Sequence, residues 1–231
     1  MDVNERFTTV ESLANPPEYA ARLTIDYKEK LDRLTTFFRV FWLIPIAIIL
    51  GLISGAGESV YETKYLDEAG RVLSTSRDTG GGILSGIIVA TALMILFRQL
   101  YPRWWFDFLR EFTRFSYRVG ASFALLTDQY PSTVDEQAVH LEIDYPDVKK
   151  DLNRFMPLVK WLLAIPHYIV LAILATAAVF VVIIAWFIIL FTGQYPRVLF
   201  DFVVGVGRWA LRVNAYAFLL VTDVYPPFSL T

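Results

Sequence analysis

From Ala21 to Tyr27 the chain alternates apolar Ala21, Leu23, Ile25 and Tyr27 with polar Arg22, Thr24 and Asp26. That is the period-2 pattern of a strand with one buried face. Val139 to Tyr145 repeats it, with Val139, Leu141, Ile143 and Tyr145 on one side, so the two segments are expected to pair in one small sheet. Between the strands the pattern changes to long apolar runs. Leu34 to Ile53 carries Arg39 as its only full charge, and Ile83 to Leu100 is a second such run. About 20 residues at a ~1.5 Å rise cross a ~30 Å hydrocarbon core, which predicts a transmembrane helix for each. Pro45 is expected to kink the first of them, and Pro166 the helix that holds it further along. The polar, glycine-bounded stretch 54–82 predicts a hairpin in water, with strands Val60 to Leu66 and Arg71 to Thr75 around Asp67-Glu68-Ala69-Gly70.

After the second strand segment, Leu158 to Phe191 is apolar with Lys160 as its sole full charge. One helix of that length would measure about 50 Å, more than a bilayer core needs. Aligning Pro45 with Pro166 and Tyr101 with Tyr195 suggests two short spans, 156–174 and 177–192, joined by a turn at Ala175-Thr176. Each apolar region is followed by an amphipathic segment, 104–126 and 198–221. In the first, Asp107, Glu111, Arg114 and Arg118 form one stripe at helical spacing. The second keeps Asp201, Arg208 and Arg212 and has Gly205 in place of the glutamate. Both are expected to lie in the membrane interface.

These parallels extend along the chain. Tyr101-Pro102-Arg103 returns as Tyr195-Pro196-Arg197, and Leu125-Leu126-Thr127-Asp128-Gln129-Tyr130-Pro131 returns, with one extra residue, as the segment Leu219 to Pro226. After a polar lead-in, 1–20, the chain reads as tandem repeats 21–131 and 132–231. The expected fold is a mostly α membrane protein. It has four transmembrane helices in two parallel repeats, each followed by an amphipathic interfacial helix, with a small strand pair and an extracytoplasmic β-hairpin. Small residues in the spans (Gly51, Ser54, Ser85, Gly86, Ala172 and Ala175) are expected to let the repeats pack closely across a pseudo-twofold axis.

Composition supports a membrane setting: 55% of the 231 residues are hydrophobic, 16% aromatic and only 19% charged. With no cysteine, thiolate metal sites and disulfides are excluded, and a net charge of -2 argues against nucleic acid as partner. Lys and Arg cluster before the first span, after the second, and around the amphipathic segments, whereas 54–82 is acidic on balance. The positive-inside rule then puts both termini in the cytoplasm and the hairpin outside. No secretory leader is expected in Met1 to Asn15, which lacks an apolar core segment.

Trp186-Phe187, Phe191-Thr192-Gly193, Tyr195-Pro196-Arg197, Arg208, Arg212-Val213, Ala215-Tyr216 and the ending Leu220 to Pro226 resemble the bacterial family called domain of unknown function 4389. The first half is similar to it less tightly, with Gln99-Leu100 before Tyr101 and Gly120 where the second has Asn214. The resemblance implies a small bacterial membrane protein and supplies no reaction.

Candidate sites are few. Asp107, Arg114 and Arg118, with Asp201, Arg208 and Arg212, are positioned to hold anionic lipid headgroups or a partner's carboxylates, or else to fix helix packing. His167 is a candidate intramembrane polar site, its plainer reading a neutral imidazole bonded to a carbonyl freed by Pro166. Thr-Asp-x-Tyr-Pro reads as a helix stop and turn. No nucleophile, acid–base pair or phosphate loop is present, so no enzyme, cofactor or metal is expected. The expected role is a scaffold or accessory subunit that binds another membrane protein or self-assembles. The alternative is a lipid or small-molecule transport component with a site between the repeats.

Overall fold

The computed structural model describes residues 19–54, 60–66, 72–79 and 83–231. The chain is mostly helical with small antiparallel strand pairs. Strand β1 (Ala21–Ile25) precedes helix α1 (Arg33–Ser54); strands β2 (Val60–Leu66) and β3 (Val72–Thr79) lead to α2 (Ile83–Arg98) and α3 (Arg103–Phe123). Then come β4 (Val139–Ile143), the short helices α4 (Val148–Asp151) and α5 (Met156–Leu163), and the long α6 (Ile165–Thr192) and α7 (Arg197–Ala217).

The two period-2 segments pair as expected. β1 and β4 run antiparallel with Leu23 directly opposite Leu141, Ala21 opposite Ile143 and Ile25 opposite Val139. All six are buried. The register is symmetric about the Leu23–Leu141 pair, so an approximate twofold axis passes between them, normal to the sheet. The opposite face is polar: Arg22 bridges Glu142 (3.0 Å) and Asp144 (2.9 Å), and His140 lies 3.1 Å from Asp26. β2 and β3 form the expected hairpin, with the second strand reaching Thr79 rather than ending at Thr75. The expected turn at 67–70 lies outside the described residues, as does nearly all of the lead-in 1–20.

The turn expected at Ala175-Thr176 is not there. α6 is one continuous helix of 28 residues. Ala175, Ala177 and Ala178 are strong helix formers, and the Thr176 hydroxyl donates to the Ala172 carbonyl (2.8 Å), so nothing locally breaks the ladder. The break falls earlier, at Ala164 between α5 and α6, where Pro166 in the first turn of α6 lacks the N–H that would continue the ladder. α6 ends cleanly at Gly193 in the left-handed conformation (φ 74), its N–H on the Ile189 carbonyl at 2.7 Å. In the first half α1 bends by 44° between its 33–39 and 41–54 segments, at the carbonyls that the Pro45 ring crowds.

α7 folds back along α6. Only Gly193 to Pro196 separate them, yet His167 in the first turn of α6 touches Trp209 in the second half of α7. α1 runs along α3 in the same way, Leu43 and Ile46 packing on Val119. On its other side α7 carries β1, and α3 carries β4. Each strand thus lies on the helix of the opposite half. The layers along the axis are the sheet, then α3 and α7, then the apolar α1 and α6. The outer helices also cross between halves: α1 packs on α6, where Phe37 stacks on Trp186 at 6.3 Å, and α2 packs on α5.

The small residues expected to mediate that crossing do not. Open space surrounds Gly86, and Ala172 and Ala175 are exposed. Aromatic and branched side chains make the contact instead. The outer layer leaves much apolar surface uncovered, including Phe41, Trp42, Ile48 and Leu52 of α1 and Ile169, Ile173, Phe180, Ile184 and Phe187 of α6. Among the described residues α6 is the one helix long and apolar enough to cross a membrane unaided, and the two segments of α1 reach that length only when taken together. Its most apolar stretch has mean hydropathy 3.0 and is 11% buried.

Candidate functional site

The arginine stripe is turned toward backbone. Arg114 donates to the Leu141 carbonyl of β4 from Nη2 (3.2 Å), and Arg208 donates to the Leu23 carbonyl of β1 from Nε (3.1 Å). These are equivalent contacts on equivalent strands. Arg118 donates from Nη1 to the Ser132 carbonyl at 2.6 Å, and Arg212 to the Ser229 carbonyl at 3.4 Å and to a main-chain oxygen of Thr231. Such charge-assisted bonds are about twice as strong as neutral ones and tie strand and loop to the helix. Asp107 and Asp201 do not join them. Asp107 pairs with Arg110 (3.3 Å), and Asp201 pairs with Arg197 one turn earlier (3.3 Å). Sequence spacing put three charges on one stripe of each helix, and the fold divides them between anchors for strand and loop backbone and exposed intrahelical pairs.

The Gly205 substitution has a packing cause. A Cβ there would lie 2.9 Å from both Leu230 Cβ and the Leu230 carbonyl oxygen. The segment 229–231 runs along α7 at this point, and Arg208 also donates from Nη1 to the Leu230 carbonyl (3.1 Å). In the first half Glu111 stands at the matching place and holds Arg114 at 2.7 Å. Gly205→Ala is therefore expected to destabilise the fold by about 1–3 kcal/mol through overpacking. The readout is a lower unfolding temperature together with faster carboxypeptidase trimming of residues 229–231.

Two buried cations were missed by sequence reasoning. Arg39 of α1 donates from Nη1 to the Thr127 carbonyl and from Nη2 to Asp128 Oδ1, both at 2.6 Å. Lys160 of α5 donates to the Thr222 carbonyl and meets Asp223 Oδ1, both at 2.7 Å. The second carboxylate oxygen of each aspartate accepts a backbone N–H, from Asp32 (3.2 Å) and from Asn153 (2.6 Å). Thr-Asp-x-Tyr-Pro is thus the acceptor half of a clamp. Leu125 (φ 63) and Leu220 (φ 57) reverse the chain at the ends of α3 and α7 and aim the Thr carbonyls at the cation. The available signal was that each apolar run holds a lone charge, Arg39 or Lys160, and that each half ends in Thr-Asp.

A second duplicated contact crosses the axis. Tyr27 donates to the Tyr195 carbonyl (2.7 Å) under Arg197, and Tyr145 donates to the Tyr101 carbonyl (2.6 Å) under Arg103. The Tyr-Pro-Arg turns are therefore receptors for the tyrosine that follows each strand. Burial pushes the phenols of Tyr101 and Tyr195 well above the ordinary tyrosine range, so both stay neutral.

His167 is fully buried, and its partner is not a freed carbonyl. Trp209 Nε1–H donates to Nδ1 at 3.1 Å, while Phe228 stacks on the ring at 4.0 Å and Tyr225 lies at 4.7 Å. Nδ1 as acceptor leaves the proton on Nε2, which has no partner among the described residues. Trp209, Tyr225 and Phe228 thus surround the imidazole between α6, α7 and the segment 225–228.

Several cavities adjoin these features. One of about 320 Å³ opens beside Arg39, Trp42 and Tyr130. One of about 260 Å³ is apolar and sits between α3, α7 and β1, lined by Ile25, Tyr117, Gly120, Val203 and Gly207. A polar one of about 330 Å³ lies between α3 and β4. Residues 157–229 match the model of a family described as Domain of unknown function (DUF4389). No curated protein and no solved structure matches the chain.

Proposed function

We propose that this chain is a non-enzymatic scaffold or accessory subunit of the bacterial cytoplasmic membrane, which binds another membrane protein or a second copy of itself. One observation carries the reading: the outer layer is almost wholly apolar and uncovered, while the stripe arginines and both buried cations are engaged by backbone carbonyls or carboxylates. Exposed apolar patches beyond a few hundred Å² mark membrane or protein contacts. Little of α6 is covered, which supports contact with lipid or a partner over a place in a buried core.

In the proposed arrangement the twofold axis follows the membrane normal, the polar face of β1–β4 looks into the cytoplasm, and α1, α2 and α6 meet lipid. The β2–β3 hairpin leaves the apolar layer between α1 and α2, and we place it across the bilayer. Because the chain has no cysteine, Ser74→Cys and Ser132→Cys each create a single thiol. An impermeant maleimide on intact cells is expected to label position 74 and spare position 132. Labelling of 132 alone would reverse the orientation, and protection of both would put the hairpin inside.

The apolar cavity between α3, α7 and β1 favours a second reading, a lipid or small-molecule carrier with its site between the halves. Native mass spectrometry from mild detergent separates the two. A stoichiometric protein partner or a homodimer is the expected result. A monomer retaining one lipid or solute would replace the scaffold reading with the carrier.

A further inference from the structure

Two residues before each Tyr-Pro-Arg turn, Gln99 and Gly193 both adopt the left-handed conformation (φ 46 and φ 74). Their surroundings differ. At Gly193 the chain is shut: the Leu31 N–H donates to its carbonyl at 2.9 Å, and Arg33 Nε lies 3.3 Å from where a Cβ would stand. The cations there are matched, Arg197 with Asp201 (3.3 Å) and Lys28 with Asp128 (3.6 Å). At Gln99 the chain arriving from β4 has three more residues between Tyr145 and Arg154 than separate Tyr27 from Arg33, and the turn of α4 lies among them. A pocket of about 390 Å³ stays open here, walled by Gln99, Leu100, Tyr101, Tyr145, Asp147 and Lys149. That volume lies within the usual range for ligand sites.

Three cations border the pocket. Lys149 lines it, Arg103 lies over the Tyr145 ring at 4.8 Å, and Arg154 donates from Nη2 to Gln99 Oε1 at 3.4 Å. All three are exposed to solvent. The carboxylates within reach are engaged elsewhere: Asp107 by Arg110, Asp144 by Arg22, Asp147 by Lys150 at 3.3 Å, and Asp151 by the Asp147 N–H. Counting Lys150, four cations against Asp147 and Asp151 leave the site positive. Its rim is apolar, because Leu100, Trp104 and Phe155 are large side chains left exposed beside Gln99, Arg103 and Arg154.

We propose that this pocket holds the headgroup phosphate of an anionic phospholipid, with its acyl chains lying over Leu100, Trp104 and Phe155. Arginine and lysine donate charge-assisted hydrogen bonds to phosphate oxygens, and basic groups at a membrane surface each contribute to holding acidic lipid. The occupant follows from the pairing of charge and rim. A free phosphate would use the cations and leave the apolar rim bare, and a zwitterionic lipid would bring its own cation among three others.

The site rests on the membrane reading and adds a lipid class to it. The probe is dihexanoyl phosphatidylglycerol, titrated against the full chain in dodecyl maltoside micelles and followed by thermophoresis. Saturable binding is expected, about tenfold tighter than for dihexanoyl phosphatidylcholine or for glycerol phosphate. Lys149→Gln removes an exposed side chain and is expected to weaken binding about fivefold at an unchanged unfolding temperature. Adding Arg103→Gln is expected to extend the loss to about thirtyfold. Lys28→Gln combined with Arg197→Gln takes the same charge from the closed half and is expected to leave binding as it was. Equal losses in the two double variants would overturn the proposal, since the lipid would then answer to net charge alone. Equal affinity for both lipids, or no saturable binding, would overturn it too. Glycerol phosphate bound as tightly as the lipid would give the pocket to a soluble anion instead. Each of these failures leaves the membrane reading intact, because maleimide labelling of positions 74 and 132 does not depend on which headgroup the chain prefers.

Discussion

Replacing Asp223 with alanine is expected to cost the folded chain about 3–5 kcal/mol, the usual penalty for stranding a buried charge. Lys160 is 1% exposed, and apart from Asp223 its ammonium meets only the Thr222 carbonyl and the Tyr216 ring at 5.3 Å. The variant also loses the acceptor for the Asn153 N–H. At about 2–4 °C per kcal/mol for a chain of this size, unfolding in nanodiscs should fall by roughly 10 °C. Adding Lys160→Met is expected to recover most of the loss, because the penalty lies in the abandoned charge rather than in the missing attraction. A double variant as unstable as Asp223→Ala would show instead that the aspartate acts through the backbone it caps. The twin substitution Asp128→Ala is expected to cost less, since Arg39 keeps the carbonyls of Thr127 and Ser122.

Leu141→Ala is the second large effect, at about 2–5 kcal/mol for a buried leucine that leaves a cavity. Leu141 and Leu23 face each other on the axis, 2% and 3% exposed, and the arginines of α3 and α7 hold the carbonyls of these same residues. The adjacent Glu142→Ala removes a bridge to Arg22 on the exposed face and is expected to cost about 0–1 kcal/mol. Equal effects of the two, measured by urea unfolding of the solubilised protein, would mean that the strand pair is not seated on the helices.

Much of the architecture could be read from periodicity. The strands declare themselves because each buries one face, and the amphipathic helices because their charges recur at helical spacing. What periodicity could not supply was the destination of a side chain. Arg114 and Arg208 look alike whether they meet lipid or a strand carbonyl, and only the folded strand decides. The tight turn at 175–176 was inferred from the length of the run and from aligning the two halves, while Ala175-Thr176-Ala177-Ala178 has every local reason to stay helical. Arg39 and Lys160 were visible as isolated charges in apolar runs, but their acceptors lie 88 and 62 residues away at Thr127 and Thr222.

The exchanged strands also constrain how the chain reaches this state. Tyr27 waits for a carbonyl 168 residues further along, so β1 has nowhere to settle until α7 has been synthesised, and closing so long a loop is slow. A half made alone would keep its own strand and lack the one its helix binds. It could complete itself only by trading strands with another half, a step that dilution opposes. Joining both halves in one chain turns that trade into an internal event at an effective concentration on the order of millimolar. The pairing then no longer depends on how much protein the cell makes.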